Sequence, residues 1–178
     1  MRHSFLWIFG VVALQRLYEL RHSRRNQRKL EAIGGREHHP ESFRNVAALH
    51  GLFLTALLVE SYPWRLPVDG RTVFCLAALA LLSGLRYWCI SALGDYWNVR
   101  IVVVPGAAAI RTGPYRYLRH PNYLAVALEF LFLPLLLRAP VTLAVFLLPG
   151  LLVLRQRIRL EEQALRENTD YETAFPAR

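Results

Sequence analysis

Residues 111–162 read RTGPYRYLRHPNYLAVALEFLFLPLLLRAPVTLAVFLLPGLLVLRQRIRLEE. The stretch opens basic, aromatic and rich in turn formers, then passes at Tyr123 into a run apolar enough to sit in lipid. Two such runs, Tyr123–Leu137 and Val141–Leu154, flank Arg138-Ala139-Pro140. That gap is too short for a loop, so the runs read as a tight helical hairpin. The first reaches spanning length only if its helix begins in the RHPNY motif, and the second only if it continues through Arg155–Arg159. Both extensions carry ionisable residues to membrane depth, where a functional site is the default expectation.

Three more apolar blocks precede the hairpin: Phe5–Leu20, Phe43–Tyr62 and Val73–Leu93. Mean hydropathy is +0.22, and the apolar residues come in long runs rather than in half-buried periodic faces. The expected fold is therefore all-α. It is a polytopic membrane bundle of about five transmembrane helices ending in a helical hairpin, with residues 1–178 forming a single domain. Residues 1–84 supply the N-terminal spans, and residues 85–178 carry the polar motifs and are the half where a functional site is expected. The first block lacks a small-x-small cleavage site and is interrupted by Gln15, Arg16 and Glu19, so it reads as a retained span rather than a leader.

A net charge of +9 raises nucleic acid as a partner, but the placement of the cations explains it better. Basic loops follow the first, third and fifth spans, whereas SYPWRLPVDGR and Arg138 are poor in charge. That alternation predicts an external N-terminus and a cytoplasmic C-terminus, with no nucleic acid partner. Cys75 and Cys89 read as small buried apolar residues. His38-His39 has no third ligand with a geometric claim, so no metal is expected. There is no GxGxxG or GxxxxGK[ST] for a nucleotide loop.

The first loop starts helical and breaks at Gly34-Gly35. Trp88 and Trp97 are placed as interfacial rings, and IVVVPGAAAI as an extended segment and turn. Arg86 sits well inside the third span. Either it snorkels to headgroups, or it faces the bundle interior to meet Glu129 or an anion. Gly113-Pro114 makes a turn, and Pro121 suits the first position of the fourth helix. The free N–H groups of that helix start, beside Arg116, Arg119 and His120, suit a carboxylate or phosphate. Glu129 lies about two turns deeper. Arg155, Arg159 and Glu162 share a face of the fifth helix with Glu161 beside it, while Arg157 points away towards headgroups. Tyr171 and Phe175 are one turn apart and suit a lid.

GPYRYLRHPNY, the hairpin, RLEEQAL and DYETAF together resemble the isoprenylcysteine carboxyl methyltransferase family of integral membrane enzymes. The resemblance covers about residues 85–175. RNQRKLEAIGGREHHP, Leu49-His50, LRYWCISALGDYW and Glu129 in ALEF resemble a bacterial subgroup that methylates hydroxyls of alkylpyrones and alkylresorcinols made by type III polyketide synthases. The resemblance implies S-adenosylmethionine as cofactor, bound in a cytoplasmic pocket of a protein of the bacterial inner membrane. Cofactor-binding residues carried over are Tyr115, Arg119, His120, Pro121, Tyr123, Glu161 and Glu162; Arg116 at the helix start and Tyr171 in the tail join them by position. His120, Arg119, Glu129 and Arg86 are the catalytic candidates. The tail departs from the usual family form, with ENTDY lacking the common glycine and Phe175 in place of tyrosine.

The residue types fit that chemistry. A glutamate accepts from both ribose hydroxyls, so one of Glu161 and Glu162 suits the diol. Arg119 suits the donor's carboxylate or the acceptor's oxyanion, and His120 suits proton removal or orientation of the donor. The acceptor is a lipophilic small molecule reached from the bilayer: a polyketide hydroxyl, or alternatively a prenylated cysteine carboxylate or a phospholipid amine. An NADPH-dependent membrane reductase is disfavoured, because paired glutamates repel a phosphate. A non-enzymatic scaffold leaves the gathered His, Arg, Tyr and Glu without a purpose. The topology is testable: reporter fusions after Leu30, Pro105 and Phe175 read cytoplasmic and one after Leu66 reads external. A cytoplasmic reading at Leu66 contradicts the alternating arrangement.

Overall fold

The computed structural model describes residues 4–63 and 66–175. Five long helices run Ser4–Ala32 (α1), Pro40–Glu60 (α2), Gly70–Leu93 (α3), Pro121–Leu136 (α4) and Pro140–Asn168 (α5), and one turn, Tyr171–Ala174, forms α6. The chain is an all-α membrane bundle. α2, α3 and α5 are each long and apolar enough to cross a membrane. α4 is shorter, 16 residues, and starts at Pro121 as the RHPNY motif predicts. α1 is 29 residues long but carries Arg16 and Glu19 in its middle. Large apolar side chains such as Val59, Phe74, Leu81 and Leu148 face outward, which suits a lipid surround rather than water. Arg65 of the second loop lies outside the described residues.

The hairpin turn follows from local chemistry. Pro134 lies near the end of α4, Arg138 adopts φ 58, and Pro140 opens α5. The first N–H groups of α5 would otherwise be orphaned. Glu60 from the end of α2 accepts from Val141 N at 2.8 Å, Thr142 N at 2.7 Å and Thr142 Oγ1 at 2.6 Å. Asp69 caps α3 by accepting from Thr72 N at 2.9 Å and also pairs with Arg138. Further along, Gly150 lets α5 approach α4 closely, since a Cβ there would stand 3.1 Å from the Phe130 ring. Phe53, Leu57, Phe130, Leu133 and Leu154 fill the core between α2, α4 and α5.

The opposite end of the bundle is stitched by a small sheet. Residues Arg36–His38 (β1) pair antiparallel with Ile101–Val103 (β2), Glu37 opposite Val102. The extended reading of IVVVPGAAAI therefore holds, and its partner is the segment just after Gly34-Gly35. α1 is tied to the same region: Asn26 Nδ2 donates to the carbonyls of Gly94 at 3.1 Å and Trp97 at 2.8 Å, and Ser23 Oγ donates to Asn98 at 2.6 Å. Arg100 is held by Glu37 at 2.7 Å. Two expectations need correction. Trp97 is not an interfacial ring; it is 2% exposed, because the turn Gly94–Tyr96 folds it back under α1. Arg157 does not reach headgroups; it is 4% exposed, because α5 runs on past the lipid-facing stretch and packs against the α2 start and the loop after α3.

Candidate functional site

The RHPNY segment is held against α3 by one glycine. Gly113 has φ +55, and a Cβ there would lie 2.8 Å from the Ala92 Cβ, so only glycine lets the turn Gly113–Arg116 pack down. The turn buries Tyr115, whose phenol is pushed well above its ordinary range by burial and then by Cys89 beside it. His120 occupies the N-cap of α4 without capping it through its side chain, so the first N–H groups of α4 have no side-chain cap.

α5 brings the two glutamates up beside this helix start, and they do different things. Glu162 Oε1 stands 3.0 Å from His120 Nε2, while Oε2 accepts from Arg166 at 2.9 Å. Glu161 turns into a cavity of about 140 Å³ between the α4 start, the strand β2 and the tail, and its Oε2 is buried with no hydrogen-bond partner. The tail covers this cavity. Tyr171 and Phe175 stand with ring centroids 5.0 Å apart on its wall, Arg119 donates to the Phe175 carbonyl at 3.2 Å, and Ala109 N donates to Asp170 at 2.6 Å. The Tyr171 phenol is also pushed up, by burial and then by Glu162.

A second chamber of about 320 Å³ lies deeper, enclosed by α1, α2, α4 and α5, with Arg86 reaching in from α3. It meets the first along Trp97, Asn98, Asn122 and Tyr123, which line both. Arg16, Glu19 and Arg86 line it, and Glu129, outside its lining, pairs with both arginines. Arg16 bonds Glu19 and Glu129 at 2.6 Å each, and Arg86 bonds Glu129 at 3.0 Å and Glu19 at 3.4 Å. Arg86 thus faces the interior and meets Glu129, which decides between the two sequence readings. His50 of α2 lines the same chamber.

Tyr115, Arg119, His120, Tyr123, Glu161 and Tyr171 therefore gather on the first cavity. Glu162 stands behind His120, and Pro121 forms the buried first turn of α4. Arg116 is exposed and contributes nothing to the wall. Arg86 lines the deeper chamber, and Glu129 is tied to it through its ion pairs with Arg86 and Arg16. Sequence reasoning missed Arg16, Glu19, His50, Asn122, Trp97 and Arg157 as site residues. A signal was present for Arg16 and Glu19: charges three residues apart within an otherwise apolar run, at helical spacing.

Comparison with known proteins agrees with this geometry. Residues 74–167, which carry the RHPNY segment, the hairpin and both glutamates, match the isoprenylcysteine carboxyl methyltransferase (ICMT) family. The chain is 33% identical over 163 residues to the uncharacterized protein YpbQ of Bacillus subtilis (strain 168), covering 92% of this chain and 97% of that one. It is 29% identical over 158 residues to an uncharacterized protein of Haemophilus influenzae, covering 88% of this chain and 92% of that one. No solved structure matches. With its motifs, helical hairpin and paired glutamates inside the matched region, the chain belongs to the isoprenylcysteine carboxyl methyltransferase family of membrane methyltransferases, whose members use S-adenosylmethionine.

Proposed function

We propose that this chain transfers a methyl group from S-adenosylmethionine to an oxygen of a lipophilic acceptor, most simply the hydroxyl of an alkylpyrone or alkylresorcinol. One observation carries the cofactor part of the reading: Glu161 presents a buried carboxylate oxygen without a partner to a cavity walled by aromatic rings and bordered by the α4 start. A ribose diol satisfies that oxygen. The uncapped N–H groups of α4 and the guanidinium of Arg119 suit the donor's carboxylate. Tyr171 and Phe175 offer faces to the adenine. A phosphate-bearing nicotinamide cofactor would meet Glu161 with like charge, which disfavours the reductase reading.

When bound, the donor supplies a methyl on a sulfonium; the acceptor oxygen's lone pair forms the new C–O bond, and the methyl–sulfur bonding pair stays on sulfur. The protein's part is alignment, exclusion of water and ionisation of the acceptor. Tyr115 and Tyr171 stay protonated, since burial raises both phenols, so they act as walls and donors. His120 has the right chemistry for the proton. A carboxylate only accepts, so Nε2 carries the hydrogen shared with Glu162, and Nδ1 of the neutral ring keeps its lone pair. On this reading the enzyme resides in the bacterial inner membrane with its N-terminus outside and its donor cavity on the cytoplasmic side. It acts downstream of a type III polyketide synthase. Prenylated cysteine carboxylates and phospholipid amines are the alternative acceptors.

Glu161→Gln keeps shape and removes charge, so S-adenosylmethionine affinity by calorimetry drops by about 1.5–3 kcal/mol. Glu162→Gln, which touches His120 rather than the cavity, changes binding less and turnover more. Unchanged binding in both variants rules out the paired glutamates as the ribose holder. His120→Ala turns over 5-pentadecylresorcinol more slowly than wild type, and the deficit shrinks as pH rises towards the phenol's own pKa, because solvent then supplies the oxyanion. A deficit that stays flat with pH and tracks weaker cofactor binding assigns His120 to orienting the donor instead.

A further inference from the structure

Arg157 is a buried cation served only by uncharged groups. Its Nε donates to the Tyr123 hydroxyl at 2.9 Å, Nη1 to Ser42 Oγ at 3.0 Å, and Nη2 to the Val99 carbonyl. Among the described residues no carboxylate forms an ion pair with it; Glu161 is linked to it only through the Tyr123 hydroxyl that both approach. A guanidinium at 4% exposure ordinarily has a counter-charge, since an unpaired one is expensive to bury. Arg157 lines the deeper chamber, and its Tyr123 partner stands on the seam shared with the donor cavity.

The other charges that line the chamber, Arg16, Glu19 and Arg86, do not supply the missing partner, because with Glu129 they form a closed set. Arg16, Glu19, Arg86 and Glu129 satisfy one another as two cations and two anions. The chamber wall therefore holds one positive charge in excess, that of Arg157. Two residues that line the same chamber also carry a buried N–H without a partner, Trp97 at Nε1 and Arg86 at Nε. Spare donors and a spare cation together fit a group that only accepts hydrogen bonds. The remaining walls, Phe43, Val46, Leu54 and Val126 among them, are apolar.

Resting on the methyl-transfer reading above, we propose that this chamber is the acceptor's own site and that Arg157 holds the acceptor's ionised oxygen at the seam with the donor cavity. Trp97 Nε1 is a second donor to that oxygen. The ligand class is an amphiphile with an oxyanion head. A guanidinium stays protonated, so Arg157 takes no proton; it favours the ionised form of the acceptor and fixes where the oxygen lies. The same anion chemistry exists on the donor's own carboxylate, and the experiment separates the two.

Dodecanoate and methyl dodecanoate serve as ionised and neutral probes of one chain length, bound to nanodisc-embedded protein above the acid's pKa. Wild type prefers dodecanoate by about tenfold or more, the scale of a charge-assisted pair in a dry site. Arg155→Gln, an exposed residue on the same helix, keeps the preference, and Arg157→Lys keeps most of it. Arg157→Gln loses it while S-adenosylhomocysteine affinity stays within about twofold. The proposal is overturned if wild type shows no preference, or if Arg157→Gln keeps it. Parallel loss of dodecanoate and S-adenosylhomocysteine binding overturns it too, because the anion is then the donor's carboxylate. Failure of wild type to bind S-adenosylhomocysteine at all counts against methyl transfer, and the anion preference is still read independently.

Discussion

Two hydrogen bonds across the α4–α5 hairpin hold the site together. His120 meets Glu162 at 3.0 Å, and Tyr123 meets Arg157 at 2.9 Å. The first pair stands at the tail-covered cavity and the second at its seam with the deeper chamber. Both depend on the register of two antiparallel helices joined at their far end by a turn of very few residues. Glu60 capping α5, Arg138 in the left-handed region and Gly150 against Phe130 all act on that register. A shift of one residue at the turn would rotate α5 by about 100° relative to α4 and part both pairs.

The buried charges divide into two kinds with different physical meaning. The quartet of Arg16, Glu19, Arg86 and Glu129 is balanced within itself, and removing one member would leave an uncompensated charge at a cost of about 3–5 kcal/mol. Such a group fixes where α1 sits against α3 and α4, at helix faces where apolar packing alone tolerates sliding. Arg157 is unbalanced, and so are the partnerless oxygen of Glu161 and the indole nitrogen of Trp97. Balanced charges organise the bundle, and on the proposed reading the unbalanced ones meet ligands. On that distinction the two cavities differ in chemistry: the first offers a lone carboxylate oxygen, the deeper chamber a lone guanidinium.

Much of this was legible in the residues. The apolar blocks, Arg138-Ala139-Pro140 and the RHPNY start located the helices and the hairpin, and the motifs held most of the residues that gather on the first cavity. Arg157 escaped because periodicity on α5 alone puts it off the Glu162 face; its burial comes from Ser42 and Val99, distant segments that no local pattern connects to it. Trp97 escaped for a related reason. An aromatic near a span's end suggests the interface, but Asn26, 71 positions earlier, accepts no role until α1 folds over the Gly94 turn and binds the Trp97 carbonyl. The choice between Glu161 and Glu162 depended on which one His120 occupied, which is a property of the register and not of the EE motif.

The central claim is that the tail-covered cavity takes a sulfonium methyl donor and passes its methyl group to a membrane lipid. Purified protein in nanodiscs, given methyl-labelled S-adenosylmethionine and a lipid extract, tests it most directly, with NADPH oxidation followed in a parallel sample. Label is expected in the organic phase, in a product that releases methanol on base treatment only if the acceptor is a carboxylate, with no NADPH consumption. NADPH consumption with no lipid-bound label would contradict it.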